Sequence, residues 1–186
     1  MFEANYYLVV DLEATCDDAG AVPRDESEII EIGAVLVDGK TLTAVDEFQT
    51  FVRPIVHPTL TVFCRELTTI TQADVDHAPT FPEVAPELAK LGADALFCSW
   101  GNYDRNQLAA DARRHRIAMP LPGAHLNIKE QFAKALGGKK QGTYQALSRV
   151  GLRPTGTHHR GIDDARNIAR LLPWALGRAS CRGLRP

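Results

Sequence analysis

An apolar run, Tyr7-Leu8-Val9-Val10, ends abruptly in Asp11-Leu12-Glu13. Side chains alternate along a strand, so Asp11 and Glu13 project from one face, about 7 Å apart, while Leu12 projects from the other. Two acids sharing a face at the end of a buried strand repel each other and lose hydration, and a cation is needed to compensate. A divalent metal is the simplest such cation. The same pattern also fits a strand that runs out into solvent with both acids hydrated, and other parts of the chain must decide between the two.

A chain of 186 residues, 45% of them hydrophobic, supports one sizeable core. One domain is expected over 1–176, followed by an Arg-rich stretch, 177–186, expected to be loosely ordered. No apolar run approaches the roughly 18 to 20 residues of a membrane span, and the start of the chain has no basic-then-apolar leader pattern. No membrane association is expected, and the cytoplasm is the expected compartment. Cys16, Cys64, Cys98 and Cys181 are far apart with no Cys-x-x-Cys pair, which argues against a zinc knuckle or redox motif and fits reduced thiols. Residues 1–100 carry 5 Lys and Arg against 18 Asp and Glu, whereas 101–186 carry 16 against 5. That division suggests an acidic pole for metal and a basic one for a polyanion, unless folding intermingles the two.

In chain order, Tyr6 to Leu12 reads as a buried strand and 17–27 as a surface loop. Strands are expected over Glu28–Val37 and Ala44–Val52, joined by a hairpin turn at Asp38-Gly39. Short helices follow over His57–Glu66, with Leu60, Phe63 and Leu67 on one face, and over Thr71–Val75. A longer helix spans Thr80–Leu91, with Pro82 in its first turn. A strand over Asp94–Trp100, a helix over Asp104–His115 and a short strand at Leu126–Ile128 come next. Helices over Lys129–Leu136, Tyr144–Val150 and Ile162–Leu172 complete the pattern. Three strands in a meander, then strands alternating with helices, predict an α/β domain.

Asp104 follows the strand that ends at Trp100 and opens a helix. It fits a first-turn acid there, and equally a third carboxylate at the sheet edge that carries Asp11. At 100° per residue the apolar stripe of the last helix contains Gly161, Ala165, Ile168, Ala169 and Leu172, with Asp164 inside it. Asp163 falls with Asn167 and Arg170 on the polar side and reads as a capping or solvent-facing residue. An aspartate on a buried stripe needs a partner, so Asp164 is assigned to the site. His159, five residues earlier, suits a general base, since an imidazole takes a proton near neutral pH. His158 beside it has no such spacing.

The segments Val10-Asp11-Leu12-Glu13-Ala14-Thr15-Cys16, Ser99-Trp100-Gly101-Asn102-Tyr103-Asp104 and His159-Arg160-Gly161-Ile162-Asp163-Asp164-Ala165-Arg166-Asn167 together resemble the three motifs of the DEDD exonucleases of the histidine subtype. The likeness runs over about residues 6 to 172. It includes Phe51-Val52-Arg53-Pro54 and Phe63 to Gln72, and points to the enhancer-of-RNA-interference and histone-mRNA 3′-exonuclease group and the sporulation-pathway-inhibitor type. Thr69 stands where that group commonly has glycine. The resemblance implies a ribonuclease H-like fold: a central mixed five-stranded sheet, its first three strands antiparallel, with helices on both faces.

It further implies hydrolysis of single-stranded RNA, or short single-stranded DNA, from the 3′ end to nucleoside 5′-monophosphates with two Mg²⁺ or Mn²⁺ ions. Asp11 would bridge both ions, Glu13 and Asp164 would hold one side, Asp104 the other, and His159 would be the base. Phe63, Leu67 and Tyr103 would lie beside the terminal nucleotides, although Phe63 and Leu67 equally suit a helix core. Backbone groups of Ala14 and Thr15 are expected near the terminal sugar, and Arg160, ahead of Arg105 and Arg166, on phosphate. Two other readings remain: a nuclease-like module that binds nucleic acid without cutting, and a phosphodiesterase of dinucleotides or short oligonucleotides.

Overall fold

The computed structural model describes residues 3–180. Five strands form one sheet in the order β3-β2-β1-β4-β5. They are β1 (Tyr6–Ala14), β2 (Ile29–Asp38), β3 (Ala44–Phe51), β4 (Ala95–Ser99) and β5 (His125–Asn127). The first three pair antiparallel, and β4 and β5 add parallel to β1. The helices are α1 (Val62–Thr68), α2 (Gln72–Asp76), α3 (Phe81–Leu91), α4 (Tyr103–Arg114), α5 (Ile128–Leu136), α6 (Thr143–Arg149), α7 (Gly161–Ala169) and α8 (Leu172–Ala175).

Strand β1 is apolar on both faces because both are covered. Leu8, Val10 and Leu12 pack with Phe81, Val84 and Leu88 of α3 and Leu108 and Ala112 of α4. Tyr7 and Val9 pack on the opposite side with Phe132 of α5, Leu147 of α6 and Ala165 and Ile168 of α7. Asp11 and Glu13 continue the Tyr7-Val9 row by twos and therefore point to the α7 side. The expected mixed sheet with helices on both faces is the one observed.

Helix α7 meets the sheet without side chains between the backbones. A Cβ on Gly33 of β2 would lie 2.1 Å from the Gly161 carbonyl carbon, and one on Gly161 would lie 3.0 Å from the Asp11 carbonyl oxygen. Glycine is the residue that permits backbones to approach so closely. Glu31, fully buried in β2, fastens the contact: its carboxylate accepts from the Gly161 N–H at 3.0 Å and from Arg160 Nε at 3.1 Å and Nη2 at 3.2 Å.

Several local expectations are corrected. Helix α1 begins at Val62 behind Thr61, whose hydroxyl accepts from the Cys64 N–H at 3.0 Å, rather than at His57. Residues 55–57 are drawn off instead by buried Glu28, which accepts the backbone N–H groups of Ile55, Val56 and His57, each at 2.8 Å. The last expected helix is two: α7 stops at Ala169, because Pro173 has no N–H to offer the Ala169 carbonyl and its ring crowds that group. Asn167, expected on the polar side of α7, is fully buried. Of the expected loose tail, Arg178 is tied down, with Nη1 donating to the Gly39 carbonyl at 2.5 Å, while 181–186 lie outside the described residues. Folding joins the two charge groups at two points: Arg160 pairs with Glu31 and Arg166 with Glu47. Among the described residues no helix is long and apolar enough to cross a membrane.

Two stability measurements check this account. Gly33→Ala should lower stability by at least about 2 kcal/mol in denaturant unfolding, since backbone rather than a flexible side chain opposes the new methyl. Thr69, the C-cap of α1, has φ of +61°. A β-branched residue is strained there, so Thr69→Gly should raise stability by about 0.5–1 kcal/mol despite glycine's greater freedom when unfolded.

Candidate active site

Where β1 passes under the first turn of α7, Asp11, Glu13 and Asp164 each present a carboxylate oxygen, and these atoms all lie within 4.8 Å of one another. They share a cleft of about 320 Å³ with Ala14, Cys16, Leu67, Trp100, Tyr103, Asp104, Thr143, His158 and His159. Asp104, 4% exposed, reaches it from the second position of α4, and its Oδ1 accepts from the Leu12 N–H at 3.1 Å. It is a first-turn acid that also lines the cleft, so the two sequence readings of this residue are compatible.

Burial raises the proton affinity of all four acids. Burial first, then the charges of Asp104, Glu13, Asp164 and Glu31, push Asp11 well above the usual carboxylate range. Glu13 is pushed up to about 8 by burial and then by Asp164 and Glu31. Asp104 rises to about 6 by burial, against the opposing Leu12 N–H bond, and Asp164 is raised by burial against the His159 N–H bond. Asp164 Oδ1 is buried without a hydrogen-bond partner among the described residues. An unpartnered carboxylate oxygen beside two more fits a divalent cation. The donors are all oxygen, with no thiolate or imidazole in the Asp11-Glu13-Asp164 group, so hard ions such as Mg²⁺ or Mn²⁺ fit.

His159 stands at the cleft on a loop that α7 holds at three points. Asn167 Oδ1 accepts from the Thr155 N–H at 3.1 Å, Asp163 Oδ2 from the Thr157 N–H at 2.8 Å, and Asp164 Oδ2 from the His159 N–H at 2.8 Å. Asp163 thus caps the loop, as expected, and Asp164 serves both loop and cluster. Burial and the neighbouring His158 lower the proton affinity of the His159 imidazole below its ordinary value, outweighing the opposing pull of Asp164. A neutral ring is the form that accepts a proton. His158, His159 and Asp164 form a second close group of possible ligands, sharing Asp164 with the first.

The outer contacts are placed unevenly. Leu67 and Tyr103 line the cleft and are exposed, and Phe63 is half-buried in an adjoining cavity of about 940 Å³ that shares Cys16 and Tyr103 with it. Leu67 is therefore not a helix-core residue; Cys64 and Thr68 are the buried ones in α1. Ala14 lines the cleft, but Thr15 does not, because its N–H donates to the Glu28 carbonyl at 2.8 Å and its own carbonyl accepts from Ser27 Oγ at 2.7 Å. Arg160 is also turned away: its guanidinium is committed to Glu31 and lies over the Phe51 ring, 5.2 Å from the centroid. The phosphate contact expected there is thus an internal ion pair. Arg166 is likewise held by Glu47 and Asp163.

Trp100, Thr143 and His158 at the cleft, and Glu31 behind it, were not singled out from the sequence. For Glu31 a signal existed: Ile29-Ile30-Glu31-Ile32 places an acid within an apolar strand, the same anomaly that marks Asp11.

A strand-borne Asp-x-Glu, two further acids and a histidine thus line one cleft on a ribonuclease H-like sheet, an arrangement that resembles a carboxylate nuclease centre. The profile of the Exonuclease family matches residues 8–172, and the chain belongs to that family. ERI1 exoribonuclease 3 of Mus musculus is 33% identical over 181 residues, covering 90% of this chain and 52% of its own length. The nuclease domain of 3′hExo, described as a DEDDh family member bound to rAMP, superposes with a TM-score of 0.87 at 30% identity, covering 95% of this chain and 94% of that one. The 3′-exonuclease solved with a histone mRNA stem-loop gives a TM-score of 0.86 at 31% identity, over 95% of this chain and 65% of the other. The chain spans about half the length of the ERI1 exoribonuclease 3 relatives that it matches.

The acid cluster predicts opposite thermal responses. Without divalent ions, Asp11→Asn should melt above the wild type, because one buried like charge is gone. With Mn²⁺ at about 100 times its Kd, the wild type should gain about 2.7 kcal/mol, or roughly 5–10 °C, and Asp11→Asn much less. Differential scanning fluorimetry with EDTA or Mn²⁺ reads both.

Proposed function

We propose that residues 1–176 form a single 3′-to-5′ exonuclease domain that degrades single-stranded RNA to nucleoside 5′-monophosphates, using two Mg²⁺ or Mn²⁺ ions. The observation that carries this reading is the convergence of the Asp11, Glu13 and Asp164 oxygens within 4.8 Å, in one cleft with Asp104 and His159. RNA is favoured because ERI1 exoribonuclease 3 and the rAMP-bound 3′hExo domain resemble the chain over 90% and 95% of its length.

Asp11 would contribute to holding both ions, Glu13 and Asp164 the one on the side of the attacking water, and Asp104 the one on the leaving-group side. When bound, such ions activate the water and neutralise charge building on the phosphate and on the departing 3′ oxygen. The neutral ring of His159 takes the proton from the attacking water. Leu67 and Tyr103, exposed at the cleft mouth, offer apolar and aromatic surface on which terminal bases stack without sequence being read. Phe63 extends that surface into the adjoining cavity. Ala14, at the cleft floor, lets the terminal sugar approach the backbone. The unbonded thiols of Cys16, Cys64 and Cys98 suit a reducing compartment and hence the cytoplasm.

With a 5′-labelled RNA oligonucleotide and either metal, the protein should release 5′-monophosphates stepwise from the 3′ end. His159→Ala should slow turnover about 10²–10⁴-fold, and Asp11→Ala should abolish it. Wild-type rates in either variant would sink the mechanism. Binding without turnover in both metals would mark a nucleic-acid-binding module, and turnover confined to dinucleotides would mark a small-substrate phosphodiesterase.

A further inference from the structure

A histidine base is commonly oriented by a hydrogen bond to its second ring nitrogen. Among the described residues His159 has none: its hydrogen bond, to Asp164, is made by the backbone N–H. Something else must set the plane of the ring. His159 stacks on His158, with ring centroids 3.9 Å apart and planes 31° from parallel. His158 stacks in turn on Tyr144, at 4.1 Å and 38°. Successive side chains of an extended chain point to opposite sides, but His159 has φ of +59° and this left-handed turn brings both imidazoles to one side.

The far end of the row is anchored. Tyr144 lies in α6, partly buried against the core that contains Ala146, Leu147, Ala165 and Ile168. The preceding residue, Thr143, lines the cleft itself. Of the three rings, His158 is exposed and is held chiefly by its two neighbours. The row therefore runs from the core, through Tyr144 and His158, to the base.

We propose that Tyr144 and His158 are positioning residues for the proposed base: their stacked rings set the plane of the His159 imidazole and so aim its nitrogen at the attacking water. This rests on the exonuclease reading above. A row of tilted ring contacts constrains the imidazole while leaving both ring nitrogens of His159 without a hydrogen bond among the described residues, one to take the proton and the other to release it to solvent.

The test measures kcat and KM on a 5′-labelled RNA oligonucleotide for Tyr144→Leu, Tyr144→Phe, His158→Ala and His158→Phe. Loss of the stacking ring in Tyr144→Leu or His158→Ala should lower kcat about 10- to 100-fold, the range expected for a misaimed catalytic group, with KM little changed. Tyr144→Phe, which keeps the ring, should stay within about two-fold of wild type by the same argument, and His158→Phe should recover part of the kcat lost in His158→Ala. In a His159→Ala background Tyr144→Leu should cost nothing further, because its effect passes through the absent ring. In proton NMR of the metal-free protein, Tyr144→Leu should also shift the His158 and His159 ring resonances as the stack is lost. Wild-type kcat in Tyr144→Leu, an equal loss in the His159→Ala background, or unmoved ring resonances would each overturn the inference. Wild-type turnover in His159→Ala alone would instead remove the general-base reading, so the two failures are distinguishable.

Discussion

The site depends on the side-chain-free contact between Gly33 in the sheet and Gly161 at the start of α7, where a Cβ on Gly33 would sit 2.1 Å from backbone. With any larger residue at either position, the helix would ride higher and Asp164, one turn in, would leave the acids of β1. Glu31 and Arg160 fasten the same joint. Their ion pair has one partner fully buried and the other about a quarter exposed. Desolvation offsets much of what such a pair gains in stability. Its clearest consequence is geometric: one carboxylate binds the Arg160 side chain and the Gly161 backbone together, setting the height and rotation of α7.

Helix α7 then positions both halves of the chemistry. Its Asp164 joins Asp11 and Glu13, and Asp163, Asp164 and Asn167 hold the loop that carries His159. One helix therefore places both the acid cluster and the loop that carries His159. The cluster works against the fold, because burial raises the proton affinity of all four carboxylates and neighbouring acids add to it at Asp11 and Glu13. That conflict is local, and the apolar layers on both sides of β1 keep the strand in place against it. A divalent ion held by these oxygens would relieve it, which would link metal affinity to conformational stability.

Much of this was legible because it is periodic. Alternation along β1 put Asp11 and Glu13 on one face, and the helical stripe of α7 separated Asp164 from Asp163. What was not legible involved partners distant in sequence. Arg160, next to His159, suggested a phosphate contact, yet Glu31 lies 129 positions earlier and claims its guanidinium. Thr15 looked available after the acids, but Glu28 and Ser27 occupy its backbone groups. Asn167 looked solvent-facing on an isolated helix, but the loop at Thr155 folds over it. Helix α1 began later than its apolar spacing suggested because Glu28 captures the backbone just before it.

The sequence by itself determined the strand order and the sheet face that carries the first two acids, both of which follow from local periodicity, while the expected acid and histidine set came from the resemblance of three motifs to the DEDD exonucleases. Tertiary structure alone decided which arginines are spent on internal pairs, how close α7 lies to the sheet, and that the rings of Tyr144, His158 and His159 form a row. Those outcomes depend on which distant groups meet when the two faces of β1 are buried, and no spacing along the chain encodes that meeting.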